Sequence, residues 1–287
     1  MESQKKHKSG FSFEFFPPRT PESTARLQVT QERLAKLKPE FFSVTYGAGG
    51  STREKTFETV IDIREKTGIN AAPHLSCVGS TKEDLQQVLA KYKEEGFQHI
   101  VALRGDLPSG SVGMGSMRYA NELVEFVRSE TGDYFHIDVA CYPEFHPQAH
   151  GASQDLANFQ RKVEAGADSA ITQYFYNTDA YFRFIDSCEA MSIDIPVVPG
   201  IMPITNCTQL QRFSEACGAE IPRWILQRLR DFGDDRDSIL KFGIDVTSKL
   251  CERLLAGGAP GLHFYTMNQA NACEAIWQNL NLNEIQQ

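Results

Sequence analysis

The segment Phe11-Ser12-Phe13-Glu14-Phe15-Phe16-Pro17-Pro18 places one carboxylate among four phenylalanines and then stops at two prolines. Its aromatics suit a buried strand, and the prolines cannot continue one. Alternation puts Phe11, Phe13 and Phe15 on one face and Ser12, Glu14 and Phe16 on the other. A carboxylate held out of water without a partner is costly, so the pKa of Glu14 is expected to rise. A carboxyl tuned in this way can serve as a general acid near neutral pH. The other reading is an ion pair with a Lys or Arg across a core, since structural pairs perturb pKa values too.

Further polar residues fall at the ends of the apolar segments that follow: Thr45, His74, Arg104, Asp106, Tyr142, Gln173 and the run from His263 to Thr266. Together they imply a broad site. Metal binding is not expected there. His146 and His150 have i, i+4 spacing, but Pro147 between them argues against one helix presenting both. His74 has no second ligand near it in sequence and reads as a hydrogen-bond donor. No Ser or Cys has a base close by, so nucleophilic catalysis has no support. Arg161 and Lys162 fall together after the fifth strand, where they either neutralise a phosphate or are simply solvated.

The elements that must position these residues alternate without a break. Expected strands are Phe11–Phe16, Phe41–Tyr46, Ala71–Val78, His99–Leu103, Phe135–Tyr142, Ser169–Tyr176, Pro196–Ile201 and Gly261–Tyr265. Helical spacing runs between them from Glu22 to Lys38, to Thr67 after a Ser51 or Thr52 cap, and over Thr81–Gly96, Tyr119–Glu130, Ser153–Ala165, Ala180–Met191 and Cys207–Cys217. Segments around Pro222–Leu229 and Ser238–Leu255 add helices before the last strand, and Ala270–Leu280 closes the chain. Eight strand-helix units in on the order of 250 residues predict an α/β fold, a (β/α)8 TIM barrel, with the site at the strand carboxyl ends. An open doubly wound sheet is weakened because Gly47-Ala48-Gly49-Gly50 lacks the G-x-G-x-x-G spacing. One catalytic domain over 11–287 is expected, preceded by a flexible tail at 1–10 with Lys5, Lys6 and Lys8.

With 287 residues and a net charge of -8, and a pI near 5.4, a nucleic-acid surface is not the expected business of the chain. No apolar run reaches the length of a membrane span and no signal-peptide core precedes Phe11. Seven scattered cysteines without C-x-x-C suit free thiols in a reducing cytoplasm. Asn206-Cys207-Thr208 matches a glycosylation sequon by chance.

The segments Phe13-Glu14-Phe15-Phe16-Pro17-Pro18, Ser43-Val44-Thr45-Tyr46-Gly47-Ala48, Pro73-His74-Leu75 and Ala102-Leu103-Arg104-Gly105-Asp106-Leu107-Pro108 resemble methylenetetrahydrofolate reductase. So do Tyr142-Pro143-Glu144 with His146-Pro147, Ala170-Ile171-Thr172-Gln173-Tyr174-Phe175, Pro199-Gly200-Ile201-Met202-Pro203 and His263-Phe264-Tyr265-Thr266-Met267-Asn268. The similarity is collinear from about Phe11 onward. It implies a flavoprotein that holds FAD at the carboxyl face and passes hydride from NADH or NADPH to 5,10-methylenetetrahydrofolate by a ping-pong scheme. The product would be 5-methyltetrahydrofolate, in the one-carbon metabolism that feeds methionine biosynthesis. Implied flavin contacts are Thr45, Tyr46, Ala48, His74, Arg104, Gly105, Asp106, Tyr119, Ala120, Tyr142, His146, Asp155, Asn158, Arg161 and Lys162. Implied substrate contacts are Glu14, Thr45, Asp106, Gln173, Gln209 and Phe213, with Glu14 and Asp106 catalytic. A homo-oligomer is also implied.

Each implied role has a physical rationale. Opening the folate's imidazolidine ring needs a proton on the leaving nitrogen, which Glu14 can give. Asp106 can accept pterin N–H groups and stabilise a cationic iminium. The Gln173 amide both donates and accepts, so it can serve two substrates in turn. The chain departs from many members at Gln269, where they carry an arginine, which removes one expected cation for the folate tail. It ends soon after the last strand, so feedback by S-adenosylmethionine is not expected. Two other readings use the same residues: a flavin-free lyase or aldolase with Glu14 and Asp106 as acid and base, and a non-catalytic folate- or flavin-binding protein.

Overall fold

In the computed structural model the described residues are 1–46, 50–105 and 115–285. The chain runs α1 (Glu2–Lys5), β1 (Gly10–Phe15), α2 (Pro21–Ala35), β2 (Phe41–Val44), α3 (Gly50–Thr67), β3 (Ala71–Ser76), α4 (Lys82–Glu94), β4 (His99–Leu103), α5 (Ala120–Thr131), β5 (His136–Cys141) and α6 (Ala152–Glu164). It continues β6 (Ser169–Thr172), α7 (Thr178–Ala190), β7 (Val197–Val198), β8 (Gly200–Ile201), α8 (Cys207–Cys217), α9 (Arg223–Asp231), α10 (Arg236–Gly257), β9 (Gly261–Tyr265), α11 (Asn271–Asn279) and α12 (Leu282–Ile285). This alternation, with parallel pairing throughout, is the α/β TIM-barrel class, with α9 and α10 inserted before the last strand. Helix starts fall where the sequence supplies an acceptor. Thr81 accepts from Asp84 N at 3.1 Å while Asp84 accepts from Thr81 N at 3.0 Å, and Asn206 accepts from Gln209 N at 2.8 Å. Among the described residues no helix is long and apolar enough to cross a membrane.

The chain divides into two compact units. One comprises Ser12–Ala140 and Asn158–Ala170. In it Glu14 pairs with Ser43 and Ser43 with Ala72, so these side chains share a face, joined two residues on by His74. Phe13 pairs with Phe42 on the opposite face, where the Phe42 ring meets Phe13 and Phe15 edge-on at 6.1 and 5.1 Å. The ladder continues past the strand ends. Thr45 N donates to Phe15 O at 2.9 Å and Val78 N to Arg104 O at 3.0 Å, fixing the backbone that carries Thr45 and Arg104.

The other unit comprises Met1–Phe11, Cys141–Ala157 and Ile171–Gln287. Here Gly10 N donates to Pro260 O at 3.0 Å and His263 N to Pro199 O at 2.9 Å, and β8 pairs with β9 through Gly200 and His263. The expected strand over Pro196–Ile201 is split in two, because Pro199 has no N–H to give the ladder. Gly200 follows because a Cβ there would lie 2.1 Å from Thr172 O and 2.6 Å from the Tyr265 ring. Tyr174, Tyr176, Met202, Ile204, Ile225 and Leu229 form an apolar cluster with the helices from α8 to α10. Phe11 meets Trp277 of α11 edge-on at 5.3 Å, which marks the Phe11 face of β1 as the helix side.

Two expectations differ from the structure. Residues 1–10, expected as a flexible tail, carry α1, and Gln4 is buried. The Gln4 amide donates to Ile195 O at 3.1 Å and accepts from Val197 N at 2.8 Å, replacing water on both groups. The strand expected to reach Tyr176 ends at Thr172. Beyond it Tyr174 and Tyr176 are buried by packing in the cluster above, without sheet pairing.

Candidate active site

Glu14 lies on the face of β1 opposite Phe13 and Phe15, in register with Ser43. The phenylalanines therefore do not surround the carboxylate, as their number in the sequence suggested. They pack behind the strand, and Phe16 is 43% exposed. The neighbour of Glu14 is a histidine rather than the Lys or Arg of the ion-pair reading: His74 Nε2 is 3.2 Å from Glu14 Oε2, with side-chain exposures of 6% and 16%. Despite that distance, Nε2 makes no hydrogen bond of regular geometry. Carboxyl and imidazole thus share a dry position at the carboxyl ends of β1 and β3.

The neighbouring strand ends bring up Thr45, Tyr46, Arg104 and Gly105, all half-buried. Thr45 O accepts from Thr56 Oγ1 at 2.9 Å, which holds the turn after β2 against α3. The Arg53 guanidinium stacks over the Tyr46 ring at 5.8 Å. Burial pushes the Tyr46 hydroxyl pKa up against the opposing pull of Arg53, and its oxygen makes no regular hydrogen bond among the described residues. Gly105 has φ +84°, and a Cβ would lie 1.8 Å from Ser76 Oγ; only glycine fits there. Ser76 Oγ itself donates to Arg104 O at 2.8 Å. Tyr119 caps α5 and is 59% exposed, with Ala120 as the first helical residue. Ala48 and Asp106 lie outside the described residues.

Asn158, Arg161 and Lys162 lie on α6, but the two cations diverge, as adjacent helical residues must. Arg161 points outward and donates to Asn158 Oδ1 at 2.7 Å. Lys162 turns back and donates through Nζ to Ala140 O near the carboxyl end of β5. The structure does not bring them together as one clamp.

The other unit carries Tyr142, His146, Asp155, Gln173, Gln209 and Phe213. The Tyr142 and His146 rings meet edge-on at 4.7 Å. His146 Nδ1 accepts from Gln148 N at 3.0 Å, which leaves Nε2 to carry the proton of the neutral ring. Asp155 accepts from His146 N at 2.9 Å, so one of its oxygens is committed to holding that loop. Gln173 continues the ladder by donating its N–H to Cys141 O at 2.8 Å, while its Oε1 accepts from Tyr174 N at 3.0 Å. That leaves the Gln173 amide NH2 as a donor. Gln209 and Phe213, one turn apart on α8, line a recess with Met202, Ile204 and Met267. Sequence reasoning assigned no role to Glu144, whose carboxylate accepts from Glu220 N at 2.8 Å. Burial pushes its pKa up against that hydrogen bond, with the Glu220 charge adding to the rise. Its signal was the Tyr142-Pro143-Glu144 motif, which places a carboxylate just past a strand end.

The family model described as methylenetetrahydrofolate reductase matches residues 1–281. The 5,10-methylenetetrahydrofolate reductase of Escherichia coli (strain K12) is 43% identical over 269 residues, 94% of this chain and 90% of that protein. Methylenetetrahydrofolate reductase (NADH) 1 of Zea mays is 37% identical over 290 residues, 96% of this chain and 49% of that protein. Among solved structures, a Clostridium thermocellum protein that binds two copies of 5-methyl-5,6,7,8-tetrahydrofolic acid has a TM-score of 0.69 at 15% identity, covering 99% of this chain and 98% of that one, which is a likeness of fold. With one family model spanning nearly all of its length and relatives this similar on both counts, the chain belongs to the methylenetetrahydrofolate reductase family.

Proposed function

We propose that the chain reduces 5,10-methylenetetrahydrofolate to 5-methyltetrahydrofolate with NADH or NADPH, through FAD in a ping-pong scheme, and that Glu14 is the general acid. Family membership supports the folate reaction, and the folate named for the structural neighbour is of the same class. The observation that carries the acid role is the Glu14–His74 pair, two titratable groups 3.2 Å apart and largely out of water.

The residues fit a flavin. Tyr46 Oη is a buried polar atom without a regular hydrogen bond among the described residues, and an isoalloxazine edge offers acceptors and donors for such a group. Gly105 leaves its own backbone bare of a side chain. FAD, held there, would supply the hydride chemistry that links nicotinamide and folate. The protein supplies the rest. Thr45, Tyr46, Arg104 and Gly105 orient the ring, and Lys162 provides a cation near the end of β5. Glu14 protonates the leaving nitrogen of the folate ring while His74 holds the carboxyl in place. Asp106 takes the pterin N–H groups. Gln173 donates its amide N–H to the substrate, and Gln209 with Phe213 receives the folate's aromatic body.

Separate half-reactions test this. With Glu14→Gln, anaerobic bleaching of the flavin by NADH or NADPH is expected to persist, while reoxidation by the folate slows on the order of 100-fold or more. Equal damage to both halves would remove Glu14 from the acid role. A purified chain that takes up no FAD would overturn the flavin reading.

A further inference from the structure

A second cluster lies at the opposite ends of the strands. We propose that His99, His136 and Asp138 form a binding site for a divalent transition metal of the zinc class at the amino ends of β4 and β5. The register creates it. His99 pairs with His136 and Val101 with Asp138, so adjacent parallel strands direct three donors from one face. One ligand atom from each lies within 4.8 Å of the others. His99 Nε2 is 2.7 Å from Asp138 Oδ2 and His136 Nε2 is 3.9 Å from Asp138 Oδ1.

Two imidazoles and a carboxylate are a borderline-hard donor set suited to zinc, nickel or cobalt rather than to calcium or magnesium. Tetrahedral zinc with bonds of about 2.0–2.1 Å wants its ligand atoms about 3.3 Å apart. The short separation must widen and the long one close by about 0.6 Å each, which side-chain rotation supplies. Asp138 is buried and His136 is 47% exposed on its side chain, so the protein covers one side of the site and water reaches the other to complete the coordination. Outer partners are present as well. Ser169 Oγ donates to Asp138 Oδ1, which fixes the carboxylate. Asp168 Oδ2 lies 4.0 Å from His136 Nδ1 and is itself paired with Arg128, as a carboxylate behind a metal-bound histidine would be. Filling the site takes no redox or covalent step. The N–H protons that His99 Nε2 gives to Asp138 and His136 Nε2 gives to Ser169 Oγ at 2.7 Å move to the Nδ1 of each ring or to solvent, and both imidazoles bind through Nε2.

The test uses the untagged, metal-stripped full chain titrated with Co2+ and then with Zn2+. Expected are one equivalent of Co2+ giving the visible band of a low-coordinate site, loss of that band as Zn2+ displaces it, and a higher melting temperature with Zn2+. His136→Gln, at a half-exposed position that tolerates it, and His99→Gln should each weaken binding tenfold or more. His146→Gln, made as a control for the remaining imidazoles, should leave it unchanged. If the wild type shows no stoichiometric Co2+ band, or if His136→Gln and His99→Gln keep it, the cluster is a hydrogen-bonded brace and the metal site is overturned.

Discussion

His74 Nε2 stands 3.2 Å from Glu14 Oε2 on the side of β1 turned away from its phenylalanines. A histidine at this distance is placed to hold the Glu14 carboxyl in position. If His74 acts through Glu14, the two substitutions do not add. Glu14→Gln/His74→Ala should reduce the folate no more slowly than Glu14→Gln alone, whereas independent roles would multiply the two losses. Single-turnover reoxidation with the folate, measured on enzyme saturated with FAD, decides between them.

Asp138 sets an acid limit on stability. Burial alone would raise its pKa, but the charge and hydrogen bond of His99, with His136 and Ser169, more than reverse this and lower it from 3.8 to about 2. A depressed carboxyl stabilises the fold above its unfolded pKa and loses that contribution as pH falls through the folded value. About 2 kcal/mol is therefore present above roughly pH 4 and lost between about pH 4 and 2. Urea unfolding at pH 5 and pH 3 should show the deficit of Asp138→Asn shrinking at the lower pH.

Gly200→Ala should destabilise the protein by about 2 kcal/mol or more. The new methyl would meet the Thr172 carbonyl at 2.1 Å, and Tyr265 Oη, which donates to that carbonyl at 2.8 Å, blocks the other way out. A thermal melt within a degree of wild type would show that β8 can shift.

The cysteines should differ in reactivity. Burial pushes the Cys77 thiol up to about 11 and Cys188 to about 12, and raises Cys251 and Cys273 further, which leaves almost no thiolate at neutral pH. Cys207 and Cys217 are only partly buried. Brief iodoacetamide treatment of the native protein, followed by peptide mass mapping, should find label on these two before the five buried cysteines.

What the sequence makes legible follows from which forces act locally. The bounds of α8 and β9 match their expectation to the residue because Asn206 and Gly218 bracket the one and Pro260 precedes the other. β6 ends short of its expected bound because apolar spacing reports burial, and Tyr174 and Tyr176 are buried against helices far along the chain. That Glu14 stands on the face opposite Phe11, Phe13 and Phe15 is readable from alternation, but which face turns inward is not. Nor is the histidine partner of Glu14, since it depends on the register of three strands. The same limit hid His99, His136 and Asp138, whose meeting no local spacing announces. The pairing of Arg161 with Lys162 failed on helical geometry, because neighbours in sequence project about 100° apart.

The amide of Gln4 takes the place of a strand residue, offering Ile195 and Val197 the donor and acceptor that another extended segment would give. Clipping the first few residues would bare that backbone row, and a raw sheet margin is an adhesive surface for other molecules. Self-association after a mild amino-terminal proteolytic trim would be the practical consequence of so small a plug.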